Sequence, residues 1–210
     1  MGTGTASAAW LEMNDFARKH SRATLLLLKA AQDYAEARCL LLNGFFGGLV
    51  IGAQTIEKLL KAYLLFHDPT RNVKVFRHSL ERLLQEAHSL YPQLTITRYA
   101  QLVKKFAGHY ATRYPDDPAG SASMTTADLF ELDAFVVFLN ENLPCPRNVK
   151  YKSGVYAVVT FSLGPGATIT SWERWIKERN QALAPLVSRI NSEHAKMLAE
   201  LYPNHPALVL

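Results

Sequence analysis

Residues 53–65 read AQTIEKLLKAYLL, in which apolar side chains recur every three or four positions. That spacing places them on one face of a helix. The pattern begins upstream, and the apolar positions of the whole segment are Phe46, Leu49, Ala53, Ile56, Leu60, Tyr63 and Leu64. Asp68-Pro69 ends the segment, because proline cannot continue a helix. We therefore predict one long amphipathic helix here.

A second long helix is predicted just before it, from Arg22 to Leu42. Its apolar face is expected at Leu25, Leu28, Ala31, Ala35, Cys39 and Leu42. Asn43-Gly44 is a turn signal that separates the two segments. The two helices should therefore pack as an antiparallel pair.

Three shorter helices are predicted further along the chain. Ser79 is placed to cap the first, whose apolar positions are Leu80, Leu83, Leu84, Ala87 and Leu90. Thr95 or Thr97 opens the next, with Tyr99, Leu102, Val103, Phe106 and Tyr110 on one face. Thr125 and Asp128 form a capping box for a fifth helix with apolar positions Leu129, Leu132, Val136 and Leu139.

After Pro144 the pattern changes. Residues 149–152 and 155–161 are rich in β-branched and aromatic side chains and are joined by Ser153-Gly154, which predicts a β-hairpin. Thr170 and Glu173 predict the start of a final helix that reaches about Leu201 with a kink at Pro185. Trp172 and Trp175 are expected to anchor that helix on the bundle.

The predicted fold class is therefore mainly α. It is an up-and-down bundle of about five helices, with a small β-hairpin and a long C-terminal helix attached. Residues 1–20 form a tail and lead-in, residues 21–143 form the bundle, and residues 144–210 form the appendage.

Composition excludes several classes of protein. The chain has 210 residues, of which 49% are hydrophobic and 20% charged, and this balance supports a buried core rather than a disordered chain. No stretch approaches the roughly 20 apolar residues that a spanning helix needs. The N-terminal residues lack the pattern of a secretory signal, so we expect a cytoplasmic protein with both cysteines reduced.

The net charge of +5 is unevenly distributed. Residues 67–113 carry eight Lys/Arg against three Asp/Glu, residues 114–143 carry none against six, and residues 144–210 carry eight against four. Two basic blocks thus flank an acidic one. Such a pattern favours either a partner that carries phosphate or a self-complementary assembly, because opposite charges steer association.

Three features in order resemble the HEPN family, whose name stands for higher eukaryotes and prokaryotes nucleotide-binding. The signature helix of that family contains Glu-Lys-x-x-Lys-Ala, matched here by Glu57, Lys58 and Lys61. A His-x-Leu then opens the third helix, as His78-Ser79-Leu80 does. Arg113-Tyr114-Pro115 matches the end of a later helix. The resemblance covers about residues 22–142.

This resemblance implies a helical bundle, usually a homodimer, that binds nucleotide or RNA or serves a partner nucleotidyltransferase, in some relatives within toxin–antitoxin or defence systems. We expect no cofactor and no membrane association. Near the fourth helix, where ribonuclease relatives carry their arginine and histidine motif, this chain offers Lys104, Lys105, His109 and Arg113 as candidate contacts for nucleotide or RNA. The expectation is an accessory binding protein without catalysis of its own.

Two alternatives remain open. Some HEPN relatives are metal-independent ribonucleases that use an arginine, a polar residue and then a histidine, and Arg71, Asn72 and His78 have that order. In such a site the histidine takes the proton of a 2′-hydroxyl and the arginine holds the phosphate. The other alternative is a structural module, because Gly44, Gly48 and Gly52 form a smooth stripe for close helix contact in the bundle or across a dimer. No spacing typical of a metal site is present.

Overall fold

The computed structural model describes residues 15, 16, 18–111, 125–146 and 171–183. Its helices are α1 (Ser21–Leu42), α2 (Gly47–His67), α3 (Leu80–Leu90), α4 (Ala100–Ala111), α5 (Thr126–Glu141) and α6 (Ser171–Lys177). Short 3-10 helices cover Val73–Phe76 and Ile96–Tyr99. The prediction of a mainly α fold is confirmed for this part of the chain. The predicted hairpin at 149–161, Arg113 and the chain beyond Leu183 lie outside the described residues.

Helix α2 is the centre of the bundle. Most of its residues are buried, and it packs against α1, α3, α4 and α5. The predicted positions Leu49, Ala53, Ile56, Leu60, Tyr63 and Leu64 are all buried, whereas Phe46 precedes the helix and is exposed. Burying each large aliphatic side chain contributes about 1.5–3 kcal/mol, so α2 supplies much of the stabilising contact area.

The buried face of α1 was predicted only in part, since Ala31 and Ala35 are buried as predicted but two of the predicted leucines are not. Leu25 and Leu28 are 57% and 44% exposed. The buried face consists of Ala23, Leu27, Ala30, Ala31, Tyr34, Ala35, Ala37, Arg38 and Leu41. Leucines occupy residues 25–28 without interruption, so they point in every direction and their spacing selects no face. The small alanines select it instead, because they allow the backbones of α1 and α2 to approach closely.

The glycine stripe contributes to packing inside the bundle. Gly44 is not part of it, since it lies in the α1–α2 loop with φ +79°. A Cβ at Gly48 would lie 2.6 Å from Leu41 Cγ and 2.9 Å from the Ala37 carbonyl oxygen of α1. A Cβ at Gly52 would lie 2.4 Å from the Phe106 ring of α4. Both glycines therefore permit close contacts within the chain.

The shorter helices follow their predicted boundaries. Ser79 occupies the N-cap position of α3 as predicted, although its side chain makes no capping hydrogen bond, and Leu80, Leu83, Leu84 and Ala87 are buried. Thr95 precedes the 3-10 helix that leads into α4, where Leu102, Val103 and Phe106 are buried. The capping box of Thr125 and Asp128 is present at the start of α5.

The C-terminal segment differs from its prediction. Helix α6 ends at Lys177 and is followed by turns, so no single helix continues from Thr170 to a kink at Pro185. Arg179 has φ 53°, a left-handed conformation that ends a helix. Ile176 and Leu183 are buried, and Trp175 packs against the core as predicted. The side chain of Trp172 lies outside the described residues.

Candidate functional site

Three of the four residues that resemble the HEPN signature form one cluster. Glu57 is only 8% exposed, although it is a charged residue on a helix. Its Oε1 accepts a hydrogen bond from Lys61 Nζ, and its Oε2 lies 3.0 Å from Nδ1 of His78. The ammonium of Lys61 also donates to the carbonyl of Arg77 over 2.9 Å. The cluster therefore joins α2 to the chain that leads into α3.

The fourth signature residue points elsewhere. Lys58 forms an ion pair with Asp33 of α1, and both side chains are partly buried. This pair ties α2 to α1. Successive charged positions on α2 thus stabilise two different neighbours, which the sequence pattern did not predict.

The turn between the first 3-10 helix and α3 has an unusual backbone. Arg77 adopts φ 45° and ψ −116°, while Ser79 N–H donates to the carbonyl of Phe76 over 2.9 Å. These values match a type II′ turn with Arg77 at its second position, where glycine is the favoured residue. Nothing in the sequence indicated this turn, because arginine is not a turn residue.

Basic side chains surround this turn. Residues 71–82 contain four Lys/Arg and one Asp/Glu, Glu81. The guanidinium groups of Arg71 and Arg82 both lie 5.6 Å from the centre of the Phe76 ring. Lys74 and Arg77 are exposed, and their side chains form no ion pair among the described residues. We call the surface formed by Arg71, Lys74, Arg77, His78 and Arg82 the basic turn surface.

The residues of the predicted ribonuclease triad have separate partners. Arg71 pairs with Glu86 of α3. The side chain of Asn72 accepts a hydrogen bond from the backbone N–H of Lys74 and so caps the 3-10 helix. His78 is bound by Glu57 instead. Each of these contacts therefore stabilises the structure around its own side chain.

Only some of the candidate nucleotide or RNA contacts on α4 are free to bind a ligand. Lys105 bonds to Asp128, whose side chain is almost fully buried at the start of α5. Lys104 is exposed and has no ion pair among the described residues. Burial and the nearby Lys105 ammonium lower the pKa of His109, with Asp128 opposing them. The charged form of His109 is therefore less favoured than that of a solvent-exposed histidine.

The structure contains a buried polar network that the sequence did not predict. Arg38 is fully buried and pairs with Asp133, which is 1% exposed. Arg38 also donates to the carbonyls of Trp175, over 2.7 Å, and Glu178. Arg38 therefore binds the end of α6 to α1 and α5.

Tyr34 and Asn180 complete the network. The hydroxyl of Tyr34 donates to Asp133 over 2.6 Å and accepts from Asn180 Nδ2 over 2.8 Å. Burial raises the pKa of Tyr34 well above its ordinary value, so the phenol stays protonated and keeps donating. Every one of these contacts is long-range in sequence, which explains why spacing could not reveal them.

Two negative findings apply to the described residues. They contain no group of three or more His, Cys, Asp or Glu side chains arranged to hold a metal ion. Among the described helices, none has both the length and the apolar composition needed to cross a bilayer.

The geometry above therefore yields two polar features, an exposed basic turn surface and a buried network that holds the C-terminal segment. A scan against protein-family models, a search of curated proteins and a search of solved structures each found no match to this chain.

Proposed function

We propose that this chain is a HEPN-like accessory protein that binds RNA or nucleotide phosphates on its basic turn surface and catalyses no reaction of its own. The observation that carries the proposal is the set of exposed cations at the turn before α3. Lys74 and Arg77 have no acidic partner among the described residues, so their charges are available to a ligand.

The chemistry of this surface suits phosphate. Arginine donates paired hydrogen bonds to phosphate oxygens, and lysine adds a compact charge. Phe76 is buried, so its ring supports the guanidinium groups of Arg71 and Arg82 rather than stacking on bases. A surface of this kind contacts the backbone of RNA and has little sequence preference.

A metal-independent ribonuclease is the second candidate. It is favoured by one observation, the contact between Nδ1 of His78 and the Glu57 carboxylate. A carboxylate that orients an imidazole in this way is a common feature of general bases. Against it, Arg71 and Asn72 are engaged in local contacts, so the arginine and polar residue of the triad do not accompany His78.

One experiment separates the two candidates. Labelled single-stranded RNA is titrated with the full chain at low salt in EDTA, and the RNA is afterwards checked for cleavage on a gel. The accessory protein binds and leaves the RNA intact. Cleavage that His78→Asn abolishes without unfolding the protein would establish the ribonuclease instead. Absence of both binding and cleavage would reject both.

Charge variants then locate the binding surface. Lys74→Ala combined with Arg82→Ala should weaken RNA binding by about tenfold or more, because each lost phosphate contact removes a favourable charge interaction. Lys29→Ala combined with Arg174→Ala is the matched control, since both side chains are exposed and lie in α1 and α6, outside residues 71–82. Equal weakening by the two pairs would contradict a localised surface.

The homodimer and the nucleotidyltransferase partner remain part of the proposal. The glycines that motivated a purely structural module are occupied by contacts inside the bundle, so they provide no argument for a second copy. Light scattering of the purified chain tests the dimer directly. A monomeric mass at micromolar concentration would contradict the proposed homodimer.

A further inference from the structure

Arg77 is held in a backbone conformation that L-residues rarely adopt. Its φ of 45° places it in the left-handed region, and at this position of a type II′ turn glycine is the usual residue. Glycine would adopt the same conformation without steric cost. The chain instead places a long cationic side chain there.

Neighbouring groups hold this conformation from two directions. Lys61 Nζ donates to the carbonyl of Arg77, and its position is fixed in turn by the Glu57 carboxylate. Glu57 also bonds to His78, the next residue of the turn. The hydrogen bond from Ser79 N–H to Phe76 closes the turn. The central helix therefore imposes the strained conformation on the exposed turn.

Strain of this kind occurs most often at ligand clamps and active sites. The guanidinium of Arg77 is exposed and forms no ion pair among the described residues, so the contacts that hold the turn involve its backbone and not its charge. Lys74 and Arg82 lie in the same short segment and supply further positive charge. An anionic ligand is the partner that this arrangement lacks.

We propose that Arg77 is the principal phosphate contact of the basic turn surface and that Lys61 is its positioning residue. The ligand class is the phosphodiester backbone of single-stranded RNA. This inference rests on the proposed function, because it names the residues that act at the same surface. It adds that the strained backbone of Arg77 lowers the stability of the fold and at the same time positions the guanidinium for binding.

The test uses two substitutions that relieve the same kind of strain. Arg179 is the other non-glycine residue with positive φ among the described residues, and it follows α6 at a distance in sequence from the turn. Arg77→Gly and Arg179→Gly should each raise the melting temperature, because glycine accepts positive φ. Only Arg77→Gly should weaken binding of a labelled single-stranded RNA, by about fivefold to tenfold.

A double-mutant cycle tests the role of Lys61. Lys61→Met should weaken RNA binding in the wild-type background but have no further effect in the Arg77→Gly background, because its role is to position Arg77. Additive losses in affinity would show that Lys61 contacts the ligand itself, and would overturn the positioning role.

The outcomes distinguish this inference from the proposed function. If the wild-type chain does not bind RNA, the proposed function fails and Arg77 loses its role with it. If the wild-type chain binds and Arg77→Gly binds equally well, the function stands and the inference about Arg77 is wrong. A lower melting temperature for Arg77→Gly would show that the backbone conformation of Arg77 does not destabilise the protein.

Discussion

The ammonium of Lys61 reaches from the central helix to the carbonyl of Arg77, 2.9 Å away and sixteen positions further along the chain. The same ammonium pairs with Glu57, which is the most buried charged residue of α2. A charge pattern that looks like an ordinary solvated helix pair therefore determines the shape of a turn in another part of the fold.

Glu57→Gln should lower the free energy of unfolding by about 1.5–3 kcal/mol, because Lys61 and His78 both lose a charged acceptor. Urea denaturation measures the change. Asp15→Asn is the control, since Asp15 pairs with Arg18 in full solvent and its loss should cost less than about 0.5 kcal/mol. Similar losses for the two variants would show that the Glu57 cluster contributes no more than a surface pair.

Asp133→Asn should destabilise the protein by about 3–5 kcal/mol, because it leaves the Arg38 guanidinium buried without a counterion. Hydrogen exchange should show the largest loss of protection in residues 171–183, whose carbonyls Arg38 binds. The double variant Arg38→Met with Asp133→Leu should cost less than the sum of the two single changes. Strictly additive costs would mean that the two side chains do not act as a pair.

Gly52→Ala should cost about 1–3 kcal/mol, because the added methyl group would overlap the Phe106 ring. Gly108→Ala is a matched change on the exposed face of α4, where a Cβ would have no neighbour within 4 Å. It should instead stabilise the protein by about 0.5–1 kcal/mol, since alanine is the better helix former. Thermal melting of both variants checks the opposite signs, and destabilisation by both would contradict the packing described for α2.

The ion pair between Lys105 and Asp128 should make stability depend on pH in the acid range. Burial alone would raise the pKa of Asp128, but hydrogen bonds from Lys105 and Thr125 outweigh it and hold the pKa below its ordinary value of 3.8. The stabilisation is therefore complete above pH 3.8 and is lost as the pH falls through the lower pKa of the folded state.

Comparison with Asp128→Asn isolates this contribution. The wild type should be more stable than the variant near neutral pH, and the two should converge as the pH falls below about 3.8. Asparagine can still accept the hydrogen bond from the Thr125 backbone, so the variant removes mainly the charge. A stability difference that stays constant down to the acid limit would contradict the role of the ionised carboxylate.

The central helix was predictable because the local spacing of its apolar side chains determines it. The predicted apolar positions of α2 from Leu49 onward are all buried, although residues on its other faces are buried as well because the helix is central. The face of α1 was only partly predictable, since four consecutive leucines give no phase. In that case the tertiary contact with α2 decides the buried face, and alanines are weak signals of such contact.

The polar contacts were harder to predict for a different reason. Arg38 lies among alanines in α1, and its partners are Asp133, 95 positions away, and carbonyls about 140 positions away. No local pattern marks an arginine that will be buried. The turn at Arg77 is similar, because the groups that impose its conformation come from α2.

The dependence of RNA affinity on salt tests the central claim most directly. For binding through phosphate contacts, the logarithm of the association constant should fall linearly with the logarithm of salt concentration, with a slope of about −0.7 per phosphate contacted on single-stranded RNA. We predict a slope of about −2 to −3 for the wild type, and a slope smaller in magnitude by about 0.7 for Arg77→Ala. Affinity that does not change with salt, or a slope that is the same in both proteins, would contradict the account.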